Sequence, residues 1–287
     1  MMKGTFKRIG AAVLAGVLLT ASAAGCSARE GDDTGSKAGD NSTAAKAKLR
    51  VATNAEFPPW EDIDKETKEY IGFDMDLIRE IAAKIGMEAE ISSMPFDSVV
   101  ASLPGGACDV AISGLTITPK RSKSVEFSES YHETAQILLV RKDDTVFTGT
   151  TKEDLDEQLK GKTIGVCSGF TGELYAKGDK DLEYPGIEGA TVKSYANISL
   201  AAQELKTGVL DVVIMDDTVA KNAAAADQNK DTIKVIDVPL TVEYYAIAMK
   251  KGNTELKEKI DKALKELQES GKVDELKNTW KIGEQAE

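Results

Sequence analysis

The chain holds a single histidine, His132, and three cysteines, Cys26, Cys108 and Cys167. They do not fall at zinc-site spacings, and no Gly-rich phosphate loop or nucleophile motif is present. These gaps argue against a histidine-dependent triad or a metal centre, and no cofactor is expected. His132 reads as a polar residue near a chain crossing. What remains is a set of polar side chains that directly follow short apolar runs. Val110 to Ile112 opens into Ser113, Gly114 and Thr116, and Val212 to Met215 opens into Asp216 and Asp217. In open α/β sheets, positions beyond the carboxyl ends of strands are where ligands sit, so the chemistry on offer is recognition by charge and hydrogen bonding. On spacing alone, Arg121 belongs to a solvated basic stretch with Lys120 and Lys123. Asp216 and Asp217 serve equally well as the N-cap of a helix over Thr218 to Ala226.

Alternating strands and helices are needed to place these residues. Leu49 to Ala52 reads as a strand, followed by a Pro-rich loop through Phe57, Pro58, Pro59 and Trp60. From Gly72 to Ile85, the residues Leu77, Ile78, Ile81, Ala82 and Ile85 fall on one helical face, and Gly86 supplies the stop. Ala89 to Ser92 is a second strand, Ser98 to Leu103 a short helix and Val110 to Ile112 a third strand. The order then returns, with a helix around Asp154 to Leu159 closed by Gly161 and a strand at Thr163 to Val166. Within it, Leu103-x-x-Gly106-x-x-Asp109-Val110-x-Ile112 is matched by Leu205-x-x-Gly208-x-x-Asp211-Val212-x-Ile214 at identical spacing. Two similar α/β lobes, each with a mostly parallel sheet, then face each other across their strand ends. Val242 to Met249 reads as a strand. Thr254 to Ser270 carries a stripe of Leu256, Ile260, Ala263, Leu264 and Leu267, and a last short helix offers Val273, Leu276 and Trp280; periodicity does not assign these elements to either lobe.

The amino end has another purpose. Lys3, Lys7 and Arg8 precede an apolar run from Ile9 to Leu19, and small residues lead through Ala23, Ala24 and Gly25 to Cys26, which is a signal-peptide pattern. The run is shorter than the roughly 20 residues a membrane span needs. The site resembles a bacterial lipobox, which makes Cys26 the lipidated first residue of the mature chain. Residues from Ser27 to Lys46 include no large apolar side chain and read as a flexible tether. Cys108 and Cys167 fall in separate lobes and are expected to be free and buried. The formal charge is −12, and loss of a leader with basic but no acidic residues deepens it. Such a surface disfavours nucleic acid.

Gly72-Phe73-Asp74-Met75-Asp76-Leu77, followed by Ile81-Ala82, resembles the signature of the family 3 solute-binding proteins that serve ATP-driven importers of polar amino acids. The resemblance continues through Thr116-Ile117-Thr118-Pro119-Lys120-Arg121, Val125 to Ser128, Gly161 to Val166 and Asp211 to Asp216. It implies a two-lobed fold of the type II periplasmic-binding-protein kind, in which each lobe is a mixed, mainly parallel sheet flanked by helices and a two-stranded hinge joins the lobes. Residues 1–25 are then the signal peptide, 26–47 the lipidated cysteine and tether, 48–133 plus 244–287 the first lobe and 134–243 the second. The hinge falls near Glu133 to Ala135 and Glu243 to Tyr245.

The implied ligand is an amino acid, a zwitterion that needs both a cation and an anion in a nearly dry cleft. The resemblance places Arg121 on its carboxylate and Asp216 on its ammonium, leaving Asp217 to the helix or to solvent. Ser113 and Thr116 offer carbonyl or hydroxyl partners. Thr171, with amides at a helix start over Gly169 to Gly172, helps hold the carboxylate. Phe57 and Phe96 stack on the ligand and Trp60 lines the same wall. Asn54 stands where relatives for basic amino acids carry an acid, and Gly114, Cys167 and Met215 remove polar groups; these departures disfavour arginine or lysine, while Glu61 keeps them open. The expected partners are the ligand, permease subunits of an ABC importer and, through Cys26, the outer face of the cell membrane, with the protein a monomer. The alternatives are a cleft enzyme on the same fold, of the cyclohexadienyl dehydratase kind, with Glu173 as its acid, or a ligand-sensing module.

Overall fold

The computed structural model describes residues 46–283; the leader, Cys26 and the tether as far as residue 45 lie outside the described residues. From Lys46 onward, β1 (Ala47–Thr53) leads through the Pro-rich loop and a small hairpin, β2 (Asp62–Ile63) and β3 (Tyr70–Ile71), into α1 (Phe73–Lys84). Next come β4 (Met87–Ser93), α2 (Phe96–Ala101), β5 (Val110–Ala111), α3 (Pro119–Ser124) and β6 (Val125–Thr134). The chain then enters a second lobe with β7 (Gln136–Arg141), α4 (Lys152–Leu159), β8 (Thr163–Cys167), α5 (Thr171–Lys177) and β9 (Thr191–Tyr195). That lobe continues with α6 (Ile198–Lys206), β10 (Val212–Asp216), α7 (Asp217–Ala225) and β11 (Ile233–Ile236). It returns to the first lobe as β12 (Glu243–Lys250), α8 (Thr254–Glu269) and α9 (Lys272–Thr279).

The two lobes share one plan. The first sheet has the order β4-β1-β5-β12-β6 and the second β9-β8-β10-β7-β11. In each, four strands point one way and the fourth in the row, β12 or β7, runs against them. The sequence echo has a geometric counterpart. Asp109 exchanges backbone and side-chain bonds with Arg50 on β1 at 2.9 Å each, and Asp211 does the same with Thr163 on β8 at 2.9 and 2.8 Å. Gly106 and Gly208 turn the chain just before, with φ of 72° and 78°, in the left-handed region that only glycine enters without strain.

Tertiary packing assigns the carboxyl-terminal elements. β12 lies between β5 and β6, and α8 and α9 pack on α1. The stripes meet here: Leu77, Ile78, Ile81 and Ala82 of α1 and Ile260, Ala263, Leu264 and Leu267 of α8 are all buried. Each fully buried Ile or Leu contributes about 1.5–3 kcal/mol of transfer free energy, which fixes this layer against the sheet.

Two neighbouring strands of chain join the lobes. Ala135 alone separates β6 from β7, and Leu240 to Val242 lead back into β12. They are bonded to each other: Leu240 N donates to Gln136 O at 2.8 Å, Gln136 N donates to Thr241 Oγ1 at 2.9 Å, and Glu243 pairs with Thr134. Cys108 and Cys167 are buried free thiols.

Candidate functional site

The lobes meet where the carboxyl ends of β1 and β5 face those of β8 and β10. Three consecutive second-lobe residues reach into the first lobe there. Gly169 O accepts from Arg121 Nη2 at 3.1 Å, Phe170 packs its ring against Phe57 (5.1 Å) and Phe96 (4.2 Å), and Thr171 Oγ1 donates to Glu243 at 2.6 Å. Gly169 has φ of 78°, and a Cβ there would lie 2.2 Å from Asp97 Oδ1, so only glycine permits this approach. One apolar cluster therefore runs from lobe to lobe through Phe57 and Phe170.

Arg121 sits in α3, which Thr118 caps by accepting from the Arg121 amide. Its Nη1 donates to Thr116 O at 2.7 Å, and its guanidinium lies 5.3 Å from the Phe96 ring centre. Burial pushes its pKa down to about 10, against the opposing pull of Glu243 and Asp216, so it keeps its charge at neutral pH. Two of its five donors are used on carbonyls, and the rest of the fork suits a carboxylate.

Asp216 ends β10 from the other side of the cleft. It occupies the N-cap position of α7 but makes no capping bond; its Oδ1 accepts from Tyr245 OH at 2.5 Å. Asp217 instead accepts from Thr218 N at 2.6 Å and Thr134 Oγ1 at 2.9 Å. Burial, then the like charge of Glu243, raises the pKa of Asp216 to about 7, although hydrogen bonds from Tyr245 and Gln136 pull the other way. An ammonium group at this carboxyl would relieve both penalties.

Around these two charges the expected residues converge with altered roles. The hydroxyls of Ser113, Thr116 and Thr171 donate to protein carboxylates. Ser113 Oγ donates to Glu61 at 2.8 Å, and Thr116 and Thr171 both donate to Glu243 Oε2, at 2.9 and 2.6 Å. Asn54 donates its amide to Ser113 Oγ at 2.9 Å and its Nδ2 to Met94 O at 3.1 Å. Gly114 N is bound to Asp74 at 2.8 Å. Cys167 packs 3.9 Å from Met215 sulfur, and burial raises its thiol pKa far from neutrality, so it acts as an apolar wall.

Trp60 lies in the core of the first lobe. It is 0% exposed and its ring meets Phe73, Tyr245 and His132 at 5.3, 5.2 and 4.6 Å, so it supports the first lobe from within. His132 beside it is held neutral by burial, with a pKa near 4. Phe170, Gln136, Tyr245 and Glu243 were not among the expected site residues. Glu243 is 4% exposed and also accepts from Thr241 Oγ1 at 2.8 Å, so hydroxyls from both lobes and the crossing converge on one carboxylate. Glu173, the candidate acid, stands in the first turn of α5. Burial would raise its pKa, but Lys177, Ser194 and the Gly169 amide outweigh it and hold it below the usual value, the reverse of what a proton donor needs.

Two similar lobes joined by a two-stranded crossing have the architecture of a periplasmic-type solute-binding protein. The chain belongs to the bacterial extracellular solute-binding proteins, family 3, whose model matches residues 49–284. It is 32% identical over 243 residues, 85% of this chain and 89% of the relative, to the arginine-binding extracellular protein ArtP of Bacillus subtilis. Among solved structures, an ancestral arginine-binding protein bound to arginine superposes with TM-score 0.71 at 39% identity, over 82% of this chain and 98% of that one. The same kind of ancestral protein bound to glutamine gives 0.71 at 38%, over 83% and 99%. The family and fold are those of non-catalytic, extracytoplasmic binding proteins.

Proposed function

We propose that this chain captures an α-amino acid with a polar side chain between its lobes and delivers it to the permease subunits of an ABC importer. The observation that carries this reading is that Arg121 of the first lobe lies within electrostatic reach of Asp216 of the second, a part-buried cation and a buried carboxyl at the junction of the lobes. Arg121 takes the carboxylate, helped by the backbone of Thr116 and Thr171, and Asp216 takes the ammonium. Asn54, Phe57, Phe96, Ser113, Gly114 and Cys167 surround the side chain. Relatives named for arginine, and one bound to glutamine, support an amino-acid ligand.

A thermal-shift screen of the purified protein against the twenty amino acids tests the reading. A ligand at about 100 times its Kd adds about 2.7 kcal/mol to the folded state, roughly 5–10 °C in Tm for a body of this size. No shift with any of the twenty would overturn the proposal.

Membrane attachment through lipidated Cys26 is part of the same reading. Cys26→Ala is expected to move the protein from the membrane fraction to the soluble fraction, with ligand binding unchanged. Among the described residues no helix is long and apolar enough to cross a membrane; retention of the variant after its leader is shown to be cleaved would sink the anchor.

A further inference from the structure

Two carboxyl groups beneath the Ser113–Gly114 turn are not used by the ligand contacts. Glu61 follows the Pro-rich loop and Asp74 lies in the first turn of α1; both are 0% exposed. Each holds one residue of the turn. Glu61 Oε1 accepts from Ser113 Oγ at 2.8 Å, and Asp74 Oδ2 accepts from Gly114 N at 2.8 Å and Tyr131 OH at 2.9 Å. The other two oxygens, Glu61 Oε2 and Asp74 Oδ1, have no protein donor, and the two carboxyl groups are hydrogen-bonding neighbours. Carboxylate oxygens are acceptors only, and two in contact in a dry interior cannot both be charged. The groups facing the pair supply no cation: they are the phenol of Tyr131 from β6 and, from across the cleft, the carboxyl of Asp216 on β10. Tyr245 of β12 stands beyond Tyr131, with ring centres 6.3 Å apart.

We propose that Glu61 and Asp74 share one proton and act as positioning residues, the proton drawing Ser113 and Gly114 against the first lobe in the geometry that receives the ligand. This rests on the assignment of that turn to the ligand site. With the proton lost, two buried negative charges repel and the turn loses its anchor. Burial raises Asp74 to about 7 and Glu61 well above its usual range. For the pair the competent form is the protonated one, so its contribution to affinity is lost as pH rises through its titration, by up to tenfold per pH unit for one proton.

Glu61→Gln separates this from a merely structural role. Its amide replaces the shared hydrogen with a covalent one: Oε1 still accepts from Ser113 and Nε2 donates to Asp74. Infrared difference spectra of the full protein without ligand, wild type minus Glu61→Gln, should show a protonated-carboxyl stretch at pH 6 that disappears on alkalinisation. Gly114 amide exchange should accelerate with pH beyond base catalysis in the wild type but not in the variant. Calorimetry with L-arginine and L-glutamine from pH 6 to 9 should show an alkaline loss in the wild type that Glu61→Gln and Asp74→Asn lack. Glu61→Ala, which leaves buried groups unpaired, should lose roughly 5- to 150-fold throughout. Absence of the stretch, or an alkaline loss that persists in both isosteric variants, would overturn the proposal. If neither amino acid binds, the amino acid with the largest thermal shift takes their place in the calorimetry, and the infrared and exchange results decide the shared proton in either case.

Discussion

Arg121→Ala is expected to abolish detectable ligand binding while the protein remains folded. The substitution removes the charged partner of the ligand carboxylate from a desolvated cleft, and such truncations cost about 2–5 kcal/mol, or roughly 30- to 5,000-fold in Kd. Folding should survive because Arg121 is a partly exposed residue of the short helix α3 and bonds only to the carbonyls of Thr116 and Gly169 beyond its own cap. Arg121→Lys keeps a charge but not the planar fork, and should fall between wild type and alanine. Calorimetry with the amino acid that gives the largest thermal shift measures all three. Unchanged affinity in Arg121→Ala would reduce Arg121 to a tie between the lobes through Gly169.

Asp216→Asn should weaken binding by roughly 10- to 150-fold, the worth of a buried hydrogen bond to a charged group. Asp217→Asn is the matched control, since asparagine caps a helix about as well as aspartate. If the ligand bridges the lobes, X-ray scattering should show the wild type growing more compact as ligand is added, and Asp216→Asn failing to do so at the same concentration. Damage from Asp217→Asn alone would shift the ammonium partner by one residue. The pH dependence has a definite sign. In the free protein burial and Glu243 raise Asp216 to about 7, whereas a bound ammonium favours the ionised form and lowers that value. Ligand binding therefore expels a proton below about pH 7. Ionisation of this group alone should make affinity fall by up to tenfold per unit below that pH, an acid-side loss that Asp216→Asn abolishes and that is separate from the alkaline loss set by the Glu61–Asp74 pair.

How much of this was legible beforehand follows from the range over which each feature is written. The stripe of α1, the stripe of α8 and the repeated Leu-x-x-Gly-x-x-Asp unit each lie within 17 consecutive residues or fewer, where turn chemistry and helical period leave a direct trace. Asp216 and Thr116 were visible as polar residues at the ends of apolar strands, although only the family resemblance lifted Arg121 out of its basic stretch. Strands β6, β7, β9 and β11 were not among the expected elements. The buried run Ile137 to Val140 of β7 has no alternation to distinguish it from a helix, and β9 and β11 are edge strands with weak burial patterns.

The amino-acid sequence by itself determined the two-lobed plan, because period and turn residues act locally. Only the tertiary structure decided that Trp60 supports the core, that the Ser113, Thr116 and Thr171 hydroxyls face protein acceptors, and that Phe170 and Glu243 tie the lobes together. Glu243 meets Thr116 and Thr171 across sequence separations of 127 and 72 residues, and Glu61 reaches Ser113 across 52. Such contacts exist only after both sheets have formed and the chain has crossed between them twice, so no local spacing encodes them.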